Sequence, residues 1–148
     1  MAGIVIDRAT AADLPAVCAL LDAQQLPIDG VAAHVDTMLV ARHSGAIVGV
    51  AALEPYRDEG LLRSVVVNPA HQGSGLGSRL AGAALDLAAA LGIRDVFLLT
   101  TTAEGYFPRF GFERIDRAAV PESVQSSVEF TSACPASAVV MRRRLAPL

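Results

Sequence analysis

An apolar segment, Leu61 to Val67, leads into His71-Gln72-Gly73-Ser74-Gly75-Leu76-Gly77-Ser78, and from Gly75 an amphipathic segment runs to Leu91. Strand, glycine-rich turn and helix in that order constrain the chain more than any other feature. The first N–H groups of a helix have no internal partner, and they share one end with the positive pole of the helix dipole. Glycines let that backbone approach a bulky anion without side-chain clash. A nucleoside-triphosphate loop of the Gly-Lys-Ser/Thr kind is excluded, because the chain contains no lysine. A dinucleotide fingerprint needs G-x-G-x-x-G after the first strand, whereas Gly73, Gly75 and Gly77 alternate and follow about the fourth. A pyrophosphate cradle and a plain helix-capping turn both remain open on the loop alone.

The surrounding pattern predicts a mixed α/β domain. Gly3 to Arg8 alternates as a strand, and Thr10 can cap a helix from Ala11 to about Gln25. Ile28 to Val35 reads as a short helix. Thr37 to His43 and Ala46 to Leu53 flank a Ser44-Gly45 turn as a hairpin. Leu61 to Val67 and Asp95 to Thr101 are nearly continuous in apolar residues, as buried strands are. Leu76, Leu80, Leu87 and Leu91 form the helix stripe, which Gly92 ends. Ala103 to Arg109 reads as a short helix, Phe110-Gly111-Phe112 as a turn, Pro121 to Phe130 as helical and Ser137 to Arg144 as a last strand.

Composition narrows the partners. At 148 residues, 53% hydrophobic and 18% charged, the chain fits one globular domain, residues 1–148. A net charge of −3 argues against a nucleic-acid binder. No apolar run is long enough to span a membrane, and Met1 to Asp7 lacks a signal-peptide pattern, so a cytoplasmic location is expected. Cys18 and Cys134 are then expected to be reduced.

Val65 to Gly77, with Asn68-Pro69 and Gln72-x-x-Gly75-x-Gly77, resembles the signature of the GNAT superfamily of N-acetyltransferases. Ala103-Glu104-Gly105-Tyr106-Phe107-Pro108-Arg109-Phe110-Gly111-Phe112 resembles its second motif, A-x-x-F-Y-x-x-x-G-F. Ile6 to Leu14 is similar to its opening strand and helix. The resemblance implies a mostly antiparallel mixed sheet of six or seven strands, splayed between strands 4 and 5 and flanked by about four helices. It implies acetyl-coenzyme A (acetyl-CoA) as cofactor and no metal. On this mapping Val65 and Val67 pair with the pantetheine arm, and a backbone N–H near Val66 meets the thioester oxygen. Gln72, Gly73, Ser74, Gly75, Leu76, Gly77 and Ser78 hold the pyrophosphate, and Thr100, Thr102 and Phe107 line the other wall. Dimers are common in the superfamily, so a homodimer is the expected assembly.

The resemblance also sets the catalytic question. Family members often protonate the departing thiolate with a tyrosine of the second motif, and that position here is Phe107. Either Tyr106 takes over or no tyrosine is needed. Family bases often come from the neighbourhood of Glu54 and Glu59, directly or through water. Both also read as solvated carboxylates of a polar loop.

Several stretches resemble one subgroup, the N-acetyltransferases of bacterial arsenic-resistance operons: Leu53-Glu54-Pro55-Tyr56, Leu61-Leu62-Arg63-Ser64, Leu98 to Ala103, Val120-Pro121-Glu122 and Cys134 to Met141. That implies detoxifying acetylation of an anionic amino-acid analogue such as phosphinothricin or arsinothricin, with Arg63, Ser64 and Cys134 as candidate substrate residues. Arg63 in an apolar strand needs a partner when buried. It reads equally as a clamp for a substrate anion and as an internal ion pair to Glu54 or Glu129. Cys134 reads as an arsenic contact or as a small buried hydrophobe. The alternatives are a different acceptor, such as a polyamine or a protein N-terminus, and a non-catalytic acyl-CoA-binding or arsenical-sensing module.

Overall fold

The computed structural model describes residues 3–101, 103–133 and 137–145. They form a seven-stranded sheet in the order β1-β2-β3-β4-β5-β7-β6. The strands are β1 (Ile4–Arg8), β2 (Met38–His43), β3 (Ala46–Tyr56), β4 (Glu59–Val67), β5 (Asp95–Thr100), β6 (Glu113–Ile115) and β7 (Val139–Arg144). Every pairing is antiparallel except β4 with β5. The sheet is the one expected from the resemblance. The short β6 is additional to the sequence reading, which saw only a turn there.

Three α-helices are present among the described residues: α1 (Leu14–Ala23), α2 (Leu76–Ala90) and α3 (Glu122–Gln125). On one face of the sheet α2 buries Leu76, Leu80, Ala84, Leu85 and Ala88 with Leu53, Leu62 and Leu98. Leu91, assigned to the same stripe, stands at the helix C-cap and is 46% exposed. The other face carries α1, with Val17 and Leu21 packed on Val40, Val50 and Val66, and α3, with Val124 against Leu61 and Phe97.

The predicted first helix begins as a 3-10 turn, Ala11–Asp13, before α1. Asp13 accepts the Thr10 N–H at 2.8 Å and both terminal nitrogens of Arg42 at 2.8 and 2.7 Å. Arg42 foremost, and then the Thr10 N–H, hold the Asp13 carboxyl well below the usual range. A depressed carboxyl contributes stability above its unfolded value, near 3.8, and loses it as pH falls through the folded value. Asp13→Ala is therefore expected to cost about 1–2 kcal/mol near neutral pH. Urea titrations at pH 7 and pH 3 check this, with the gap from the parent narrowing at the lower pH.

Two further predicted helices break up. Ile28 to Val35 is a turn followed by a 3-10 segment, Ala32–Thr37, kinked at His34. The stretch from Pro121 forms one turn of α3, breaks at Ser126–Ser127 and re-forms as a π-helical turn, Glu129–Ala133. Both segments sit over the α1/α3 face, where polar groups on β3 and β4 take their hydrogen bonds.

Candidate active site

Two irregularities in β4 make the site. The first is a bulge. Val50 pairs with Val66 and Ala52 with Arg63, so β4 carries one extra residue there. Ser64 absorbs it in the left-handed region, φ 59°. A one-residue insertion reverses the side-chain alternation that follows. Leu62 faces α2 and Arg63 the opposite side; past the bulge, Val65 and Val67 pack with the α2 cluster and Val66 with the α1 cluster.

The second is a splay. Among the described residues, β4 pairs with β5 over Glu59–Leu61 and Asp95–Phe97. Beyond that point β5 continues to pair with β7 as far as Thr100 with Val139. The β5-facing edge of β4 past Leu61 is thus left without a strand, and such an edge accepts an extended ligand as an added one.

A cavity of about 450 Å³ opens along this edge, lined by Val65, Val66, Val67, Gln72, Gly73, Gly75, Gly77, Ser78, Tyr106 and Arg109. Gln72 Nε2 donates to the Val67 carbonyl at 3.0 Å, tying the loop to the strand end. Gly73 and Gly75 have φ of 82° and 84°, with open space where a Cβ would stand, and Gly75 is the N-cap of α2. The open glycine backbone, the helix N-terminus and the unpaired strand edge fit a pyrophosphate with a pantetheine arm. The side chains of Ser74 and Leu76 are engaged elsewhere: Ser74 Oγ donates to the His71 carbonyl at 2.6 Å, and the Leu76 side chain is in the core.

On the far wall the structure corrects the sequence reading. Phe107 is buried among Tyr106, Phe110 and Phe112 and does not line the cavity. Tyr106 does. Its hydroxyl lies 2.7 Å from where a Cβ on Gly77 would be, so a side chain there would push the hydroxyl aside. The exchange arises because the second motif folds as a 3-10 turn, Phe107–Phe110, rather than an α-helix, with Tyr106 left at its N-cap. Thr100 Oγ1 accepts the Ala103 N–H at 2.9 Å and serves the turn after β5. Thr102 and Cys134 lie outside the described residues.

Arg109 is a residue the sequence reading missed. Its guanidinium lies 4.5 Å from the Tyr106 ring centroid and borders the cavity. The signal was available, since it is the one cation in the second motif and anionic ligands need one.

On the opposite face, next to the bulge, lies a buried charge cluster. Glu54 accepts from Tyr56 Oη at 2.5 Å, Ser127 Oγ at 2.7 Å and Arg63 Nη1 at 2.8 Å. His34 Nε2 stands 3.7 Å from it. Arg63 also pairs with Glu129 at 3.3 Å, donates to Ser64 Oγ at 3.1 Å and donates to the Pro27 carbonyl at 3.2 Å. The internal ion pair is therefore present, with both carboxylates that the sequence suggested. Burial pushes the Glu54 carboxyl up, but the hydrogen bonds from Arg63, Tyr56 and Ser127 outweigh it and hold the group below its ordinary value. Burial and the adjacent Glu54 raise the Tyr56 hydroxyl to about 12, so it stays a donor. An ionised, triply hydrogen-bonded Glu54 is a weak base, which argues against the direct role expected for it. Glu59 opens β4 at its other end, where it accepts from Ser123 Oγ at 3.2 Å.

Residues 14–112 match the model of the acetyltransferase (GNAT) family. The chain belongs to that family. Acetyl-CoA is the family's cofactor. The chain is 32% identical over 130 residues to an amino-acid acetyltransferase of Mycobacterium tuberculosis, covering 81% of this chain and 74% of the relative. It is 39% identical over 85 residues to an amino-acid acetyltransferase of Ralstonia nicotianae, covering 56% of this chain but 19% of the relative. The N-acetylglutamate synthase of Neisseria gonorrhoeae, solved with coenzyme A and N-acetyl-glutamate, superimposes with a TM-score of 0.84 at 26% identity. The match covers 99% of this chain and 36% of that one. The chain thus spans well under half the length of the Ralstonia and Neisseria proteins, in contrast to the Mycobacterium one. No described helix is long and apolar enough to cross a membrane.

Proposed function

We propose that the protein transfers the acetyl group of acetyl-CoA to the amino group of a small amino acid or amino-acid analogue. One observation carries the reading: the glycine-loop cavity and the buried Glu54–Arg63–Glu129 cluster lie on opposite faces of β4, joined by the bulge at Ser64. The cofactor side and a charged acceptor side thereby meet at one strand. The names of the relatives support the amino-acid part.

Bound acetyl-CoA supplies a thioester carbonyl for the amine to attack. The strand edge at Val65 to Val67 and the loop from Gln72 to Ser78 would position it, and a backbone N–H near Val66 would stabilise negative charge on the carbonyl oxygen. Tyr106 brings a hydroxyl to the cavity and is the residue there that could supply a proton to the departing thiolate. Tyr106 at the cavity supports the catalytic reading over that of a non-catalytic acyl-CoA-binding or sensing module, whose motive was Phe107 at the usual tyrosine position. Glu54 anchors Arg63, Tyr56 and Ser127 rather than taking a proton directly. Glutamate, phosphinothricin and arsinothricin share one skeleton, an α-amino acid with a second acidic group, so the arsenic-operon resemblance and the amino-acid relatives point to one acceptor chemistry.

The experiment is thiol release from acetyl-CoA against L-glutamate, phosphinothricin, arsinothricin, spermidine and a peptide N-terminus. Turnover confined to the acidic amino acids is expected. Preference for spermidine or the peptide would replace the acceptor, and none with any amine would remove the catalytic reading.

A further inference from the structure

We infer that a groove on the outer flank of α2 is a binding site for a phosphorylated adenine nucleoside. The groove is a second cavity, of about 930 Å³, between α2, the start of β5, the 3-10 turn Phe107–Phe110 and the end of β7. Its volume is that of a small-molecule site. Arg94, Arg109 and Arg143 line it, together with Asp86, Leu85 and Phe110.

Three guanidiniums converge there with no acid to meet them. The last strand shows how this arises, since side chains alternate along a strand. Arg142 pairs with Glu113 at 3.7 Å and Arg144 with Asp95 at 3.1 Å. Arg143, between them, shares the α2 side of the sheet with Met141, and its Nη1 donates to the Phe110 carbonyl at 2.9 Å. Among the described residues, neither it nor Arg94 nor Arg109 has a carboxylate partner. In a chain of net charge −3, cations gathered without partners at one groove favour an anion there. The guanidinium fork matches phosphate oxygens.

The helix wall is open to close approach. Gly82 interrupts the alanines of α2, Ala81, Ala83 and Ala84, and it lies on the groove side. Glycine is a poorer helix former than alanine. A Cβ at Gly82 would meet nothing within 4 Å, so packing inside the protein does not call for glycine. A ligand lying against the helix backbone does.

The lining narrows the ligand class. The arginines suit phosphate, Phe110 and Leu85 suit a flat apolar ring, and Asp86 can accept from an exocyclic amine such as adenine carries. Arg109 also borders the glycine-loop cavity, and Gly82 stands about 10 Å along α2 from Gly75. Two sources carry this chemistry. One is the 3′-phosphorylated adenosine end of CoA, which rests on the loop's holding the pyrophosphate. The other is a free adenine nucleotide, which does not.

Calorimetry on the parent, Arg94→Gln and the double variant Arg94→Gln/Arg143→Gln tests this, with three probes. They are CoA, dephospho-CoA (which lacks the 3′-phosphate) and adenosine 3′,5′-bisphosphate, the last titrated into both bare and CoA-saturated protein. The parent is expected to bind CoA about tenfold more tightly than dephospho-CoA. Arg94→Gln should lose about threefold of that preference and the double variant all of it, with dephospho-CoA held within about twofold of the parent throughout. The dephospho-CoA affinity also shows that the variants are folded. That pattern places the end of CoA in the groove. Equal affinity for CoA and dephospho-CoA, with bisphosphate binding to the CoA-saturated parent and lost in the double variant, supports the site with a free nucleotide as its ligand. A preference for CoA that survives both substitutions overturns the proposal, as does no preference together with no bisphosphate binding. Failure of both CoA and dephospho-CoA to bind would fault the loop reading. The bare-protein titration then decides the groove: bisphosphate binding lost in the double variant supports it, and no binding overturns it.

Discussion

Arg63→Met is expected to destabilise the protein by about 3–5 kcal/mol, the usual cost of removing one partner of a buried ion pair. Methionine fills much of the space but leaves Glu54 and Glu129 facing each other in a site where the arginine side chain is fully buried. Each carboxylate then loses a guanidinium while keeping its desolvation. The effect depends on pH in a defined direction. In the parent, Glu54 is held below its ordinary value, so it contributes stability above the unfolded value that is lost as pH falls. In the variant the burial that Arg63 had offset pushes the Glu54 carboxyl up, and protonation relieves it. The gap between parent and variant should therefore be widest near pH 7 and close toward pH 4. Guanidinium titrations at the two pH values measure it, and a gap that stays constant would mean that the loss is packing alone.

Gly75→Glu is expected to weaken coenzyme A binding by more than about 100-fold, with the fold retained. Gly75 caps α2 at φ 84°, and its missing side chain leaves open space at the mouth of the loop. A carboxylate there cancels the positive end of the helix dipole and repels the pyrophosphate. Its left-handed backbone costs a side chain about 1 kcal/mol, which an α2 buried along Leu76, Leu80, Ala84 and Ala88 can absorb. Calorimetric titration with coenzyme A reads the affinity, and a thermal melt separates lost binding from lost structure. Unchanged affinity would show that the loop does not hold the pyrophosphate.

The loop was legible because its signals are local. Glycines before an amphipathic stripe announce a helix N-terminus, and continuous apolar runs announce buried strands. The bulge was not legible, since a serine at φ 59° has no sequence signature, and it is the bulge that puts Val65 and Val67 on the α2 face. The exchange of Tyr106 and Phe107 was hidden for a related reason: spacing to Gly111 assumes helical geometry, and a 3-10 turn alters which ring faces out. The breaks at His34 and Ser126–Ser127 follow from tertiary demand, because His34 and Ser127 both turn toward Glu54, 20 and 73 positions away in the chain. Arg63 was visible as an anomaly in an apolar strand, and its two candidate partners could be named. That it takes both needed the fold.

The measurement that bears most directly on the central claim uses isotopically labelled acetyl-CoA with an equimolar mixture of amino acids, followed by mass spectrometry of the products. The account predicts label on the α-amine of an amino acid with an acidic side chain, formed together with free coenzyme A. Label that stays on coenzyme A, or appears only as free acetate, would contradict it.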